Sequence, residues 1–249
     1  MKLDRFNLKT TITAVLLGAA FGAPAAFAAP VGFDDLPLTV VLGNETVVSG
    51  GFAFQARDSA MAQSFGVQTV AGLTIDGSAP SSCDALACPS GNPTRYFAGV
   101  NDGSVTMTSA LTPYFRLNAL DFAFVSPLGG LANGIYGQLR LVGSLASGGT
   151  ISTSMDFAGQ DGFGNFMFAG WTLDPAFAGA LLNELSFSAC VFDAAGGCDN
   201  SLDFPAGNLA QFAIDNLDAT GVLPEPAMPA LLLLGAAGMG LSARRRRAK

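Results

Sequence analysis

Hydrophobic and polar residues alternate with a period of two along most of the chain. The pattern is clear at Gly51–Arg57 (GFAFQAR), Ser104–Ala110 (SVTMTSA), Phe115–Phe124 (FRLNALDFAF), Gly137–Leu145 (GQLRLVGSL) and Thr150–Phe157 (TISTSMDF). It predicts strands with one face toward a core and one toward solvent. Further strands are expected at Phe166–Leu173, Leu185–Phe192 and Ala210–Leu217. Turn signals separate them: Asn101-Asp102-Gly103, Gly129-Gly130, Gly148-Gly149 and Asp161-Gly162-Phe163-Gly164-Asn165. One short helix or loop is expected at Asp174–Asn183, where Pro175 occupies a suitable first helical position. Many short strands joined by Gly- and Asn-rich turns predict an all-β, antiparallel β-sandwich of jelly-roll type. Asp218–Pro226 reads as a linker after the last strand.

The two ends depart from this pattern. Lys2, Arg5 and Lys9 precede the apolar stretch Thr10–Gly22, and Ala26-Phe27-Ala28 then offers small residues at a cleavage site. Residues 1–28 therefore read as a secretory signal peptide, cut after Ala28 by signal peptidase. At the other end, Pro224-Glu225-Pro226 precedes the apolar run Met228–Ala243 and the cluster Arg244, Arg245, Arg246 and Arg247. At about 1.5 Å per residue the run reaches roughly 24 Å, short of the roughly 30 Å hydrocarbon core. Four arginines behind it argue against burial in a protein core, and snorkelling extends its reach. We read it as a C-terminal transmembrane helix stopped by the arginines on the cytoplasmic side. This gives three parts: signal peptide 1–28, sandwich domain 29–221 and sorting tail 222–249.

The order of triplet, apolar run and arginine cluster resembles the PEP-CTERM sorting signal of bacterial exported proteins. The resemblance implies transient residence in the inner membrane, processing by an exosortase near Pro224-Glu225-Pro226, and a final place at the cell surface or in the extracellular matrix of a Gram-negative bacterium that makes exopolysaccharide. It covers only the tail and leaves the role of the main body open.

Charge narrows that role. Between the two ends the basic residues are Arg57, Arg95, Arg116 and Arg140, with no lysine, so this part is far more acidic than the whole-chain net charge of -7 suggests. Nucleic acid is not an expected partner, because no basic stripe exists to meet phosphates. The chain has no histidine, which removes Ser-His-Asp and Cys-His catalysis and histidine-ligated zinc, copper or iron.

Cys83, Cys88, Cys190 and Cys198 allow three pairings. Local disulfides Cys83–Cys88 and Cys190–Cys198 are expected as loop staples, since export favours oxidation. A four-thiolate zinc site is the alternative.

Carboxylates and carbonyls remain, and these suit calcium. Gly32-Phe33-Asp34-Asp35 near the start and Phe212-Ala213-Ile214-Asp215-Asn216 near the end each place oxygen ligands after an apolar residue. This resembles jelly-roll domains of the carbohydrate-binding-module type, whose first and last strands lie side by side with a structural calcium between them. The resemblance implies Asp34 or Asp35, Asp215 and Asn216 as ligands of one structural Ca²⁺. Solvated strand-end or turn residues are the alternative. Asp161–Asn165 and Asp199–Asp203 are also rich in oxygen but read as turns.

Trp171, the single tryptophan, reads as a core residue, and the three tyrosines Tyr96, Tyr114 and Tyr136 add little to a sugar platform. Glycosidases place two carboxyl groups about 5 to 10 Å apart. Glu184 and Asp121 are candidates that a solvated strand face also explains. The expectation is a non-catalytic structural or adhesive protein tied to exopolysaccharide or biofilm. The alternatives are a carbohydrate-binding module and a secreted glycoside hydrolase.

Overall fold

The computed structural model describes residues 30–79, 83, 87–198 and 210–223. The expected signal peptide, Asp199–Asp203, Pro224-Glu225-Pro226, the apolar run and Arg244–Arg247 lie outside the described residues. Among the described residues no helix is long and apolar enough to cross a membrane.

Among the described residues twelve antiparallel strands form the fold, which is all-β and jelly-roll-like. In chain order they are β1 (Val40–Leu42), β2 (Thr46–Ser49), β3 (Phe52–Arg57), β4 (Val70–Asp76), β5 (Arg95–Gly99), β6 (Ser104–Ser109), β7 (Tyr114–Phe124), β8 (Gly137–Leu145), β9 (Thr150–Asp156), β10 (Ala169–Thr172), β11 (Leu182–Val191) and β12 (Phe212–Val222). Two short helices interrupt them, α1 (Ala60–Ser64) after β3 and α2 (Pro175–Ala178) after β10.

Hydrogen bonding links the strands in the order β1-β4-β5-β12-β7-β11-β6-β3-β2, with β10 on β7 and β8 and β9 beyond β11. The β7–β11 junction is one residue pair, Phe115 with Leu182. That thin junction lets the sheet fold over, so β1, β4, β5, β12, β7 and β10 form one layer and β2, β3, β6, β11, β8 and β9 the other.

Alternation decides which side chains fill the space between the layers. Phe52, Phe54 and Ala56 of β3 and Leu139 and Leu141 of β8 are buried, while Gln138, Arg140 and Val142 face outward. Phe33 bridges the layers, with ring centroids 5.0 Å from Phe54 and 5.7 Å from Phe97. Trp171, 4% exposed, lies 5.5 Å from Phe122 and is a core residue.

The first layer is buried on both faces. Tyr96, Ala98, Ala123 and Ala213 point away from the main core into a second cluster with Ile75, Val100 and Val125. Phe168 packs on Tyr96 at 5.1 Å. The Cys83–Cys88 disulfide joins this cluster, and the Tyr96 hydroxyl lies 3.2 Å from Cys88 Sγ. Burial pushes the Tyr96 phenol above its ordinary range. Cys190–Cys198 is the other disulfide, so both pairings are local and no thiol is left for zinc.

Gly72 and Gly99 sit opposite each other on β4 and β5. A Cβ on Gly72 would lie 2.4 Å from the Phe97 ring, and one on Gly99 would lie 2.4 Å from the Phe212 ring. These glycines make room for two of the largest core side chains.

Two sequence expectations change. Asp218–Val222 is the second half of β12, not a linker, because Asp218–Val222 pairs along Ala119–Tyr114. The expected helix at Asp174–Asn183 is only α2, capped by Asp174, whose carboxylate accepts from Ala176 N and Phe177 N. Leu182 and Asn183 instead begin β11.

Candidate metal centre

The N-terminal segment is fastened to the last strand. Val31 and Leu217 exchange backbone hydrogen bonds, 2.7 Å from Val31 N to Leu217 O and 3.0 Å in return. Val31 and Phe33 point into the main core, both at most 1% exposed. Gly32 and Asp34 between and beyond them therefore face the other way, toward Asp215.

On β12, Phe212 and Ile214 belong to the main core, and Asp215 projects to the opposite face. Asn216 adopts φ 48°, in the left-handed region that Asn tolerates. The register with β7 shifts between Asp215 and Asp218. This bulge restores the inward aim of Leu217 and leaves Asp215 fully buried under the N-terminal segment.

The two oxygens of Asp215 have different surroundings. Oδ2 accepts from Asn92 Nδ2 at 2.7 Å and Thr94 Oγ1 at 2.9 Å. Oδ1 is buried and meets no hydrogen-bond partner among the described residues, although the Asn216 backbone N–H also acts on this carboxylate. It lies 3.6 Å from the place a Gly32 Cβ would take, and Asp34 Oδ2 lies 3.7 Å from the same place. The missing side chain at Gly32 thus leaves a small space faced by two carboxylate oxygens. The other oxygen of Asp34 accepts from Arg95 N at 2.9 Å, and Arg95 Nη1 donates to the Asp34 carbonyl at 3.2 Å and to the Leu36 carbonyl. Burial above all pushes the Asp215 carboxyl upward. The Asn92 side chain, the Asn216 backbone N–H and the Thr94 hydroxyl oppose this, and the nearby Asp34 charge adds to it.

The structure brings Asp34 and Asp215 together and separates the other two sequence candidates from them. Asp35 accepts from Ser49 Oγ at 2.5 Å and Gly50 N at 3.4 Å, pinning the N-terminal segment to the β2–β3 turn. Asn216 turns outward, and its Nδ2 donates to Asp121 Oδ2 at 2.9 Å. In their place stand Asn92 and Thr94. No sequence signal marks them, because the loop before β5 reaches Asp215 only in the folded chain.

The residues fit a hard cation in donor chemistry: two carboxylate oxygens, one of them orphaned and buried, and no soft ligand. Among the described residues no group of three or more acids and thiols could hold a metal ion. Amide or main-chain oxygens would have to complete any coordination. Asp161 is a turn residue: it accepts from Phe163 N, Asn165 N and Ser90 Oγ at 2.8, 3.0 and 2.8 Å, which hold its carboxyl down to about 2.

A second polar region lies on the outer face of β8 and β9. Gln138, Arg140, Val142, Ser152, Thr153, Ser154 and Cys198 line a shallow groove there. Arg140 stands between Ser188 and Ser154 in register and forms no ion pair with a described residue.

No protein-family model matches the chain, and no curated protein does. Among solved structures, TmCBM61 in complex with β-1,4-galactotriose is similar over 67% of this chain and 86% of its own, at 10% identity and TM-score 0.32. A family 16 carbohydrate-binding module is similar over 60% of this chain and 84% of its own, at 14% identity and TM-score 0.26. The enzymatically active domain of tailspike protein 4 of bacteriophage CBA120 is similar over 70% of this chain and 20% of its own, at 11% identity and TM-score 0.28. Scores this low assign the chain to none of these families.

Proposed function

We propose that this chain is an exported, non-catalytic structural or adhesive component of a cell surface or extracellular matrix, with its first and last segments locked together by one structural calcium ion. The observation that carries the calcium reading is the buried, unpartnered Oδ1 of Asp215 beside Asp34. A buried oxyanion without a partner is costly. Calcium, when bound, supplies the positive charge that offsets it. Asp34 and Asp215 would hold the ion, Asn92 and Thr94 would fix the Asp215 rotamer, and Arg95 would fix the Asp34 loop.

Two local disulfides suit a chain that matures in an oxidising compartment outside the cytosol. Signal peptidase, exosortase and exopolysaccharide belong to the same proposal and rest on sequence signals at the termini. Thermal melting in calcium and in chelator tests the ion. Intact mass of the exported protein tests the processing: loss of residues 1–28 and of the tail is expected, and an uncut chain in the cytosol overturns the export reading.

A second reading, binding of polysaccharide, is favoured by the Arg140 groove, where hydroxyls, an amide and a guanidinium that pairs with no described residue stand together. Titration with neutral and uronate-containing polysaccharides tests it, with Arg140→Ala expected to weaken binding.

A further inference from the structure

We infer that β9 is a pairing edge for a second copy of this chain, joined antiparallel about a twofold axis at Thr153. This inference stands apart from the proposed place of work and from the calcium site.

Among the described residues the fold has four free edges. Three are short, with β1 of 3 residues and β2 and β10 of 4 each, and β1 is also bulged at Val41/Leu42. Short and bulged edges resist strand addition. β9 has 7 residues, pairs with β8 without any shift in register, and contains no proline or basic residue. Its burial pattern is mostly exposed along its whole length.

The direction of its free backbone groups follows from the ladder. Leu145 N donates to Gly149 O and Phe157 N donates to Gly137 O, both at 3.0 Å. In an antiparallel pair, residues alternate between bonding toward one neighbour and the other. Ile151, Thr153 and Met155 therefore bond to β8, and Thr150, Ser152, Ser154 and Asp156 turn their N–H and C=O groups outward. No described residue bonds those outward groups.

The sequence of β9 is complementary to itself in one register. With Thr153 facing Thr153 of the partner, Ser152 meets Ser154, Ile151 meets Met155 and Thr150 meets Asp156. All seven residues are used. The outward-bonding residues face one another, as ladder hydrogen bonds require. The apolar pair covers Met155, which is 40% exposed. Asp156 meets a hydroxyl and not a second carboxylate. Shifting the register by two in either direction shortens the overlap. One strand pair is a small interface, so the association is weak and suits assembly at high local concentration.

Cysteine cross-linking in the full exported chain tests this. At a non-hydrogen-bonded antiparallel pair the Cα atoms lie about 4.5 Å apart, within the range of about 4.4–6.8 Å that a disulfide spans. Thr153→Cys is expected to give a disulfide-linked dimer on a non-reducing gel, and Val48→Cys on the β2 edge is expected to give none. Adding Ser154→Pro to Thr153→Cys removes an outward N–H and leaves the β8 ladder intact. It is expected to abolish the dimer without a change in thermal melting that matches its loss. Absence of the Thr153→Cys dimer, equal cross-linking by Val48→Cys, or undiminished cross-linking by a folded Ser154→Pro variant would each overturn the inference.

Discussion

Replacing Asp215 by Asn should abolish the effect of calcium on stability. The substitution removes the charge of a buried carboxylate whose Oδ1 has no partner and whose Oδ2 accepts from Asn92 and Thr94. An amide keeps an acceptor for those donors and offers an N–H toward Asp34. Without calcium, replacing an unpaired buried carboxylate oxygen by an amide N–H that finds a partner relieves about 1–3 kcal/mol. In a domain of about 150–250 residues each kcal/mol moves Tm by roughly 2–4 °C, so the Asp215→Asn variant should melt a few degrees above the parent in chelator. With calcium at about 100 times Kd, the parent gains about 2.7 kcal/mol by linkage, roughly 5–11 °C at the same conversion. The variant gains little, so the gap between the two closes, and their order inverts wherever the relief is below the parent's gain of about 2.7 kcal/mol. Differential scanning calorimetry in chelator and in calcium reads both terms. If the parent melts at one temperature under both conditions, no ion sits between Asp34 and Asp215.

pH offers an independent check on the same carboxylate. Its folded pKa is raised by burial, so the neutral acid favours the fold. Ion-free protein should lose stability as pH climbs above the unfolded value of about 3.9 toward the folded one, and saturating calcium should remove that loss. Asp161 runs in the opposite sense: its folded pKa is about 2, so its turn should hold above pH about 4 and loosen only as pH falls toward 2, read by hydrogen exchange at Phe163 and Asn165. Replacing Cys83 or Cys190 by Ser opens loops of sequence separation 5 and 8. Each should cost roughly 2–2.5 kcal/mol by loop entropy, checked by urea unfolding. Gly99→Ala should cost about 1–3 kcal/mol through overpacking, because its methyl would meet the Phe212 ring.

Periodicity alone located β3, β6, β7, β8 and β9 to within a residue or so, because apolar residues alternate with polar or small ones along each of them. It missed β4 and β5. Both lie in the layer that is covered on two sides, where Tyr96, Phe97, Ala98 and Gly99 are all buried and no alternation survives. It also missed β1 and β2, which are too short to show a period. The local disulfides were legible from short spacing. Asp34 and Asp215 were legible as matching acidic ends, but their meeting needed Val31 to pair with Leu217. Asn92 and Thr94 could not be seen, since they reach Asp215 across 123 and 121 residues of chain.

The amino-acid order by itself therefore determined the all-β class, the acidic and histidine-free chemistry and the cysteine staples, each of which depends on neighbours in the chain. Tertiary structure decided which carboxylates converge, which oxygen is left without a donor, and which strand remains an open edge. Those are properties of distance and burial between remote segments, and sequence separation carries no information about them.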